Sequence, residues 1–310
     1  TTGQNNTSLG MNSMYTNTNG NDNVSIGYRA LVSGNSSNSV AIGRGALANG
    51  GSNNTAIGFN SLLYNTANSN TAVGFYSLFR NTTGTGNVAV GFRSLRANTT
   101  GTQNTAVGYY ALDSNTGFQN TAVGKSAMTA NTAGSFNTAI GQHSLCRNTV
   151  GNFNSAVGRY ALFYNISGNF NTAVGSSALC KNVVGVNNTA VGYLALSYNL
   201  ASNNTAVGLC ALRNSTTGAS NVAVGTQTLT SLTTGVSNVA LGSQALYSNT
   251  TGGHQVAVGY AALRAHCGGL VSSTTANVAI GSCALRYATT ARSNTAIGTR
   301  ALFCTTTGTG

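Results

Sequence analysis

Asn104-Thr105-Ala106-Val107-Gly108-Tyr109-Tyr110-Ala111-Leu112, continued by Asp113-Ser114-Asn115-Thr116-Gly117, decides the fold, because versions of it recur along the whole chain. Indexed by its central glycine, the repeat occurs 18 times between Gly10 and Gly298. Eleven of the 17 spacings are 17 residues, four are 16, one is 15 and one is 22, so the period is nearly fixed. Self-similarity at a fixed short period signals a solenoid. Helical repeats of about 34 residues are twice as long. A period near 17 fits one turn of a parallel β-solenoid, with short strands and tight corners stacked ~4.8 Å apart. The expected fold is all-β, a single-domain parallel β-solenoid (β-helix or β-roll) of about 18 turns of 16–17 residues. At that spacing the array over 1–310 would be roughly 85 Å long.

The columns of the repeat carry the physics. Val, Ile or Leu always precedes the glycine, and Leu or Met always stands four residues after it. These are the expected core: Val107, Leu112, Val123, Ile140, Leu145, Val157 and Leu162 among them. Asn stands four before the glycine in 16 repeats, with Ser39 and Gln255 as the exceptions. Asn104, Asn120, Asn137, Asn154, Asn171 and Asn188 are therefore expected to form a structural ladder, each amide donating to one neighbour and accepting from the other. One turn cannot stand alone, and such ladders make the stack stable. Glycine at the corner reaches backbone angles that other residues resist, and Asn115-Thr116-Gly117 marks a second corner. The chain has no proline, which fits a backbone whose donors are nearly all paired.

A column of small residues leaves two readings open. Ala106, Ala111, Ala122, Ala127 and Ala139 alternate with the large columns, so in simple strands they face outward and form a candidate assembly strip for another chain. Alternatively the corner turns them inward, where the interior needs small volume.

Charged residues make up only 5% of the chain, a share that also suits disorder, but strict apolar columns argue against it. The net charge is +12, and 13 of the 14 basic residues flank the Leu column, for example Arg44, Arg29, Arg96 and Arg80. That places them along one side, either solvating a neutral surface or forming a basic stripe for an anionic polymer or cell surface. No motif for sequence-specific nucleic-acid reading is present, and no apolar run is long enough to span a membrane. Both ends resemble the corner between repeats, so the sequence reads as an excerpt of a longer array or an end-to-end stacking unit. Five extra residues between Gly259 and Gly281 read as an inserted loop at about 264–271.

Catalysis has little raw material. The only acids are Asp22 and Asp113, and His143, His254 and His266 lie in different repeats. No triad or carboxylate pair assembles, so no catalytic residue, cofactor or metal site is expected. His266 and Cys267 are adjacent, but two such residues make a weak metal signal. The six cysteines contain no CxxC and read as small packing residues. Phe118, Phe136, Phe153 and Phe170 are expected at matching places in four successive turns and read as a local stacked aromatic ladder.

Asn38-Ser39-Val40-Ala41-Ile42-Gly43-Arg44-Gly45-Ala46-Leu47-Ala48-Asn49-Gly50 resembles the head repeat of trimeric autotransporter adhesins. The Asn-Thr-Ala-Val-Gly-x-x-Ala-Leu form is also similar to repeats in phage and viral tail-fibre-like proteins and in extracellular β-solenoid fibres. The resemblance covers the whole chain. It implies a left-handed solenoid, triangular in section, on a cell or virion surface, and in the adhesin case three chains to a fibre. The period here is longer than in adhesin heads, and no neck or stalk heptads are visible; a turn of this length has room for its own core within one chain. The expected function is a structural protein, a rigid extracellular fibre that self-associates head-to-tail or laterally. The alternative is an adhesin or tail-fibre shaft that contacts a host surface or glycan. Ice binding is disfavoured because valines such as Val88 and Val222 interrupt the Thr column.

Overall fold

The structure is a computed structural model and describes residues 2–266 and 276–308. It is all-β, with no helix among the described residues, and builds parallel β-solenoid turns. The chain divides into two compact units, residues 1–153 and 154–310. The first carries β1 (Thr7–Leu9), β2 (Val24–Ile26), β3 (Val40–Ile42), β4 (Thr55–Ile57), β5 (Thr71–Val73), β6 (Val88–Val90), β7 (Thr105–Val107), β8 (Thr121–Val123) and β9 (Thr138–Ile140). The second carries β10 (Ser155–Val157), β11 (Thr172–Val174), β12 (Thr189–Val191), β13 (Thr205–Val207), β14 (Val222–Val224), β15 (Val239–Leu241), β16 (Val256–Val258), β17 (Val278–Ile280) and β18 (Thr295–Ile297). Within each unit every strand pairs in parallel with the next, in register with the repeat: Ala106 lies opposite Ala122, and Ala173 opposite Ala190.

The interior differs from the expected one. Ala106, Ala111, Ala122, Ala127 and Ala139 are wholly buried. They are core, and no assembly strip exists at these positions. Leu112, Leu145 and Leu162 are buried as expected, but Val107, Val123, Ile140 and Val157 face outward at 36–42% exposure. The reason is parity. Successive strand residues point to opposite faces, so Asn104 and Ala106 share one face while Thr105 and Val107 share the other. The asparagine ladder occupies the inside, and the tight turn leaves room there for a methyl group but not for an isopropyl group. The outward Val and Thr stack on their equivalents in neighbouring turns.

The ladder itself is present. Asn104 donates from its backbone N–H (3.0 Å) and from Nδ2 (3.2 Å) to Asn87 Oδ1, and its Nδ2 also donates across the turn to Gly117 O (2.9 Å). Asn120 and Asn137 continue the column, and in the second unit Asn154, Asn171 and Asn188 repeat it. At the two exceptions the bonding survives in altered form. Ser39 Oγ accepts from Asn54 N–H, and Gln255 Oε1 accepts from Asn277 N–H after the five-residue insertion.

A second amide ladder runs beside the first and was not assigned from sequence. Asn98 Nδ2 donates to Asn81 Oδ1 (2.9 Å) and to Gly101 O (3.0 Å), and Asn148 Nδ2 repeats this with Asn131 Oδ1 and Gly151 O. It explains the glycine of the second corner: a Cβ on Gly134 would sit 2.5 Å from Asn131 Oδ1 and 2.7 Å from Asn148 Nδ2. In places the columns cross-link, as where Asn120 Nδ2 donates to Asn115 Oδ1.

Each turn bends through left-handed backbone. After Gly108 come Tyr110 (φ 57°) and Leu112 (φ 50°), and Gln119 (φ 55°) precedes the next strand. Side chains resist this region. Bonds between turns hold it: Tyr110 N–H to Phe92 O, Leu112 N–H to Ala127 O and Gln119 N–H to Thr102 O, each 3.0 Å.

These bonds make a prediction for Asn104. Asn104→Ala removes the acceptor of the buried Asn120 N–H, an orphaning expected to cost about 1–3 kcal/mol. Asn104→Ser keeps an acceptor, as Ser39 does, and should recover part of that loss. Urea midpoints of the two variants check the order.

Candidate functional surface

The residues that follow each central glycine point away from the interior and build a surface beside the Leu corner. In the first unit this surface is aromatic and cationic. Phe59, Phe75, Phe92 and Tyr109, each directly after its glycine, stack with centroids 5.1, 5.3 and 5.1 Å apart and planes within 13° of parallel. The column continues through a cation, because the Arg44 guanidinium lies 5.4 Å from the Phe59 centroid and 5.8 Å from that of Tyr28. Offset-stacked rings and cation–π pairs of this kind are mutually attractive. The ring faces are spent on one another, so the column presents edges to a ligand.

Two of the arginines are engaged internally. Arg96 holds Asp113 with a two-pronged contact, Nε to Oδ1 at 2.8 Å and Nη2 to Oδ2 at 3.0 Å. That hydrogen bond raises the already high guanidinium pKa. Arg93 Nη1 donates to the Tyr110 hydroxyl (2.9 Å) while its guanidinium lies 4.8 Å from the Tyr110 centroid. With Phe75, Tyr76, Phe79 and Phe92 these two arginines line a shallow groove of about 290 Å³.

A larger recess, of about 360 Å³, opens two turns earlier. Its floor is Gly45 and Ala48. The turns on either side place Arg29 and Val32, then Asn60 and Leu63, at the same two positions; the Asn60 amide reaches into the place a Cβ on Gly45 would take, so the recess is the space left over Ala48 and beside that amide. Arg29 and Arg44 are exposed there, and among the described residues neither pairs with a carboxylate.

The other expected features resolve as follows. Phe136 and Phe153 stack in parallel at 4.7 Å, but Phe118 meets Phe136 edge-on at 83°. Phe118 lies six residues before its glycine and the other two lie five before, so that one-residue offset turns the ring. Cys146, Cys180, Cys210, Cys283 and Cys304 are free thiols, and burial pushes the Cys146 and Cys180 thiols up from their ordinary pKa. His266 is buried at the place where other turns carry the second-ladder asparagine; burial, aided by Arg292, lowers its pKa. Cys267 and the rest of the expected insertion, 267–271, lie outside the described residues. Among the described residues no three of His, Cys, Asp and Glu gather as a metal site, and no helix is long and apolar enough to cross a membrane.

The aromatic column was readable in principle, as four rings spaced 16, 17 and 17 residues apart directly after the glycines. The recess was readable only as small residues at two positions that are large in the neighbouring turns. Comparison with known proteins matched no protein family, no curated protein and no solved structure, so the resemblance to adhesin heads and tail-fibre repeats has no support from that side.

Proposed function

We propose that this protein is a structural element of an extracellular fibre, stiffened by stacked solenoid turns. The observation that carries this reading is the pair of interior amide ladders, which repeat the same bonds from turn to turn within each unit. Such a design spends its buried polar groups on axial cohesion. Stability then grows with the number of turns, as in other stacked-repeat proteins. Among the described residues β1 pairs in parallel with β2, and a strand edge of this kind can take up a further turn from a second copy.

Imaging of the purified chain in vitreous ice tests the reading. The expected result is slender particles with a ~4.8 Å axial repeat that lengthen as concentration rises. Compact particles without that repeat would remove the fibre reading.

A further inference from the structure

We propose that the recess over Gly45 and Ala48 binds an acidic sugar, a carboxylate-bearing glycan. This goes beyond the structural role and does not depend on it. The recess arises because one turn carries Gly45 and Ala48 where the turns before and after carry Arg29 and Val32, then Asn60 and Leu63. The two flanking turns are two steps apart, about 9.6 Å between their backbones. The backbone at Gly45, φ 67°, is close to that of Arg29 and Asn60 at the same position, but the Asn60 amide reaches into the place of a Cβ on Gly45, so the open space lies over Ala48 with that amide as one wall.

Its chemistry points to one class of ligand. Arg29 and Arg44 supply two guanidinium groups without carboxylate partners among the described residues. Guanidinium binds a carboxylate with two parallel bonds, stronger than neutral hydrogen bonds. Tyr64, 47% exposed, offers aromatic surface to the recess, while Tyr28, 38% exposed, carries Arg44 over its ring and helps to hold that guanidinium there. Ser33, Asn49 and Asn60 line it with hydroxyl and amide groups, which match the hydroxyls of a sugar ring. The volume lies at the lower end of small-ligand sites, so one or two rings would fill it. An inorganic phosphate would use the arginines and leave the amide and aromatic walls unused. The net charge of +12 adds a general attraction for anions, from which the test must separate the site.

The experiment is calorimetric titration of the full chain with trigalacturonate, with maltotriose as the neutral control and tripolyphosphate as the control for bare charge. Saturable binding of trigalacturonate with Kd of about 1 mM or tighter is expected, with neither control competing at the same concentration. Arg29→Gln and Arg44→Gln should each weaken binding about tenfold. Ala48→Phe should abolish it by filling the recess while leaving both arginines in place. That substitution is accommodated by the fold, since the same column carries Leu63 and Phe79 in the next two turns, and a thermal melt checks it. No binding of trigalacturonate, equal binding of tripolyphosphate, or undiminished binding by Ala48→Phe would each overturn the proposal.

Discussion

Gly108→Ala is expected to lose about 2–6 kcal/mol of stability, the sum of backbone strain and overpacking. Gly108 has φ 135°, and a Cβ there would lie 2.6 Å from Gly124 O and 2.8 Å from Gly124 C. Both obstacles are backbone atoms of the next turn, which cannot move without breaking the register of β7 and β8. The loss should be local at first, since in stacked repeats each turn leans on its neighbours alone. Hydrogen exchange should quicken around residues 100–130 before the rest of the unit responds. Gly298→Ala separates the two causes. Its φ is 122°, yet nothing lies within 4 Å of the added Cβ. It should cost only the strain, about 1–3 kcal/mol. Equal urea midpoints for the two variants would show that close approach between turns contributes nothing, and the stacking geometry would then be wrong.

Most of the architecture was legible in the sequence because each turn must repeat the same contacts, and repetition leaves a period. The glycine column, the first asparagine ladder and the Leu column all follow from that period and from residue chemistry. What misled was a ranking by hydrophobicity. Val107 is more apolar than Ala106, and placing it inside follows the usual expectation. The strand alternates, however, and the ladder expected at Asn104, with no face assigned to it by the sequence, lies inside. Asn104 and Ala106 must then point the same way, and Val107 the other. The parity rule and the ladder together contained the answer, and interior volume decided it: the inside of so short a turn holds two alanines, one leucine and two asparagines.

The second ladder was harder to read. Asn115 sits beside Thr116 and Gly117, which as a trio read as an ordinary corner. Only the structure shows that Asn115 Nδ2 reaches Gly117 O at 2.8 Å while also approaching Asn98 Oδ1. The recess was harder still, because it is defined by absence. Gly45 and Ala48 carry no chemistry, and they become informative only when Arg29, Asn60, Val32 and Leu63 are known to stand at the same positions one turn away. The two stretches of Phe and Tyr differ for a similar reason. Rings in strict register stack flat, as at Phe75 and Phe92, whereas Phe118, one residue out of register, turns its edge.

The inside-out order of the strand is the claim on which the rest depends, and one comparison tests it: urea unfolding of Ala106→Asn against Val107→Asn. The same side chain is placed at adjacent positions, so propensity and composition cancel. At residue 106, wholly buried, the amide has no free partner and no space. The expected loss is about 2–6 kcal/mol, from an unsatisfied polar group and overpacking together. At residue 107, which is 36% exposed, the amide reaches solvent and the loss should stay below about 1 kcal/mol. A large loss at 107 with tolerance at 106 would contradict the account, because it would put valine inside and alanine outside, and no interior asparagine ladder could then exist.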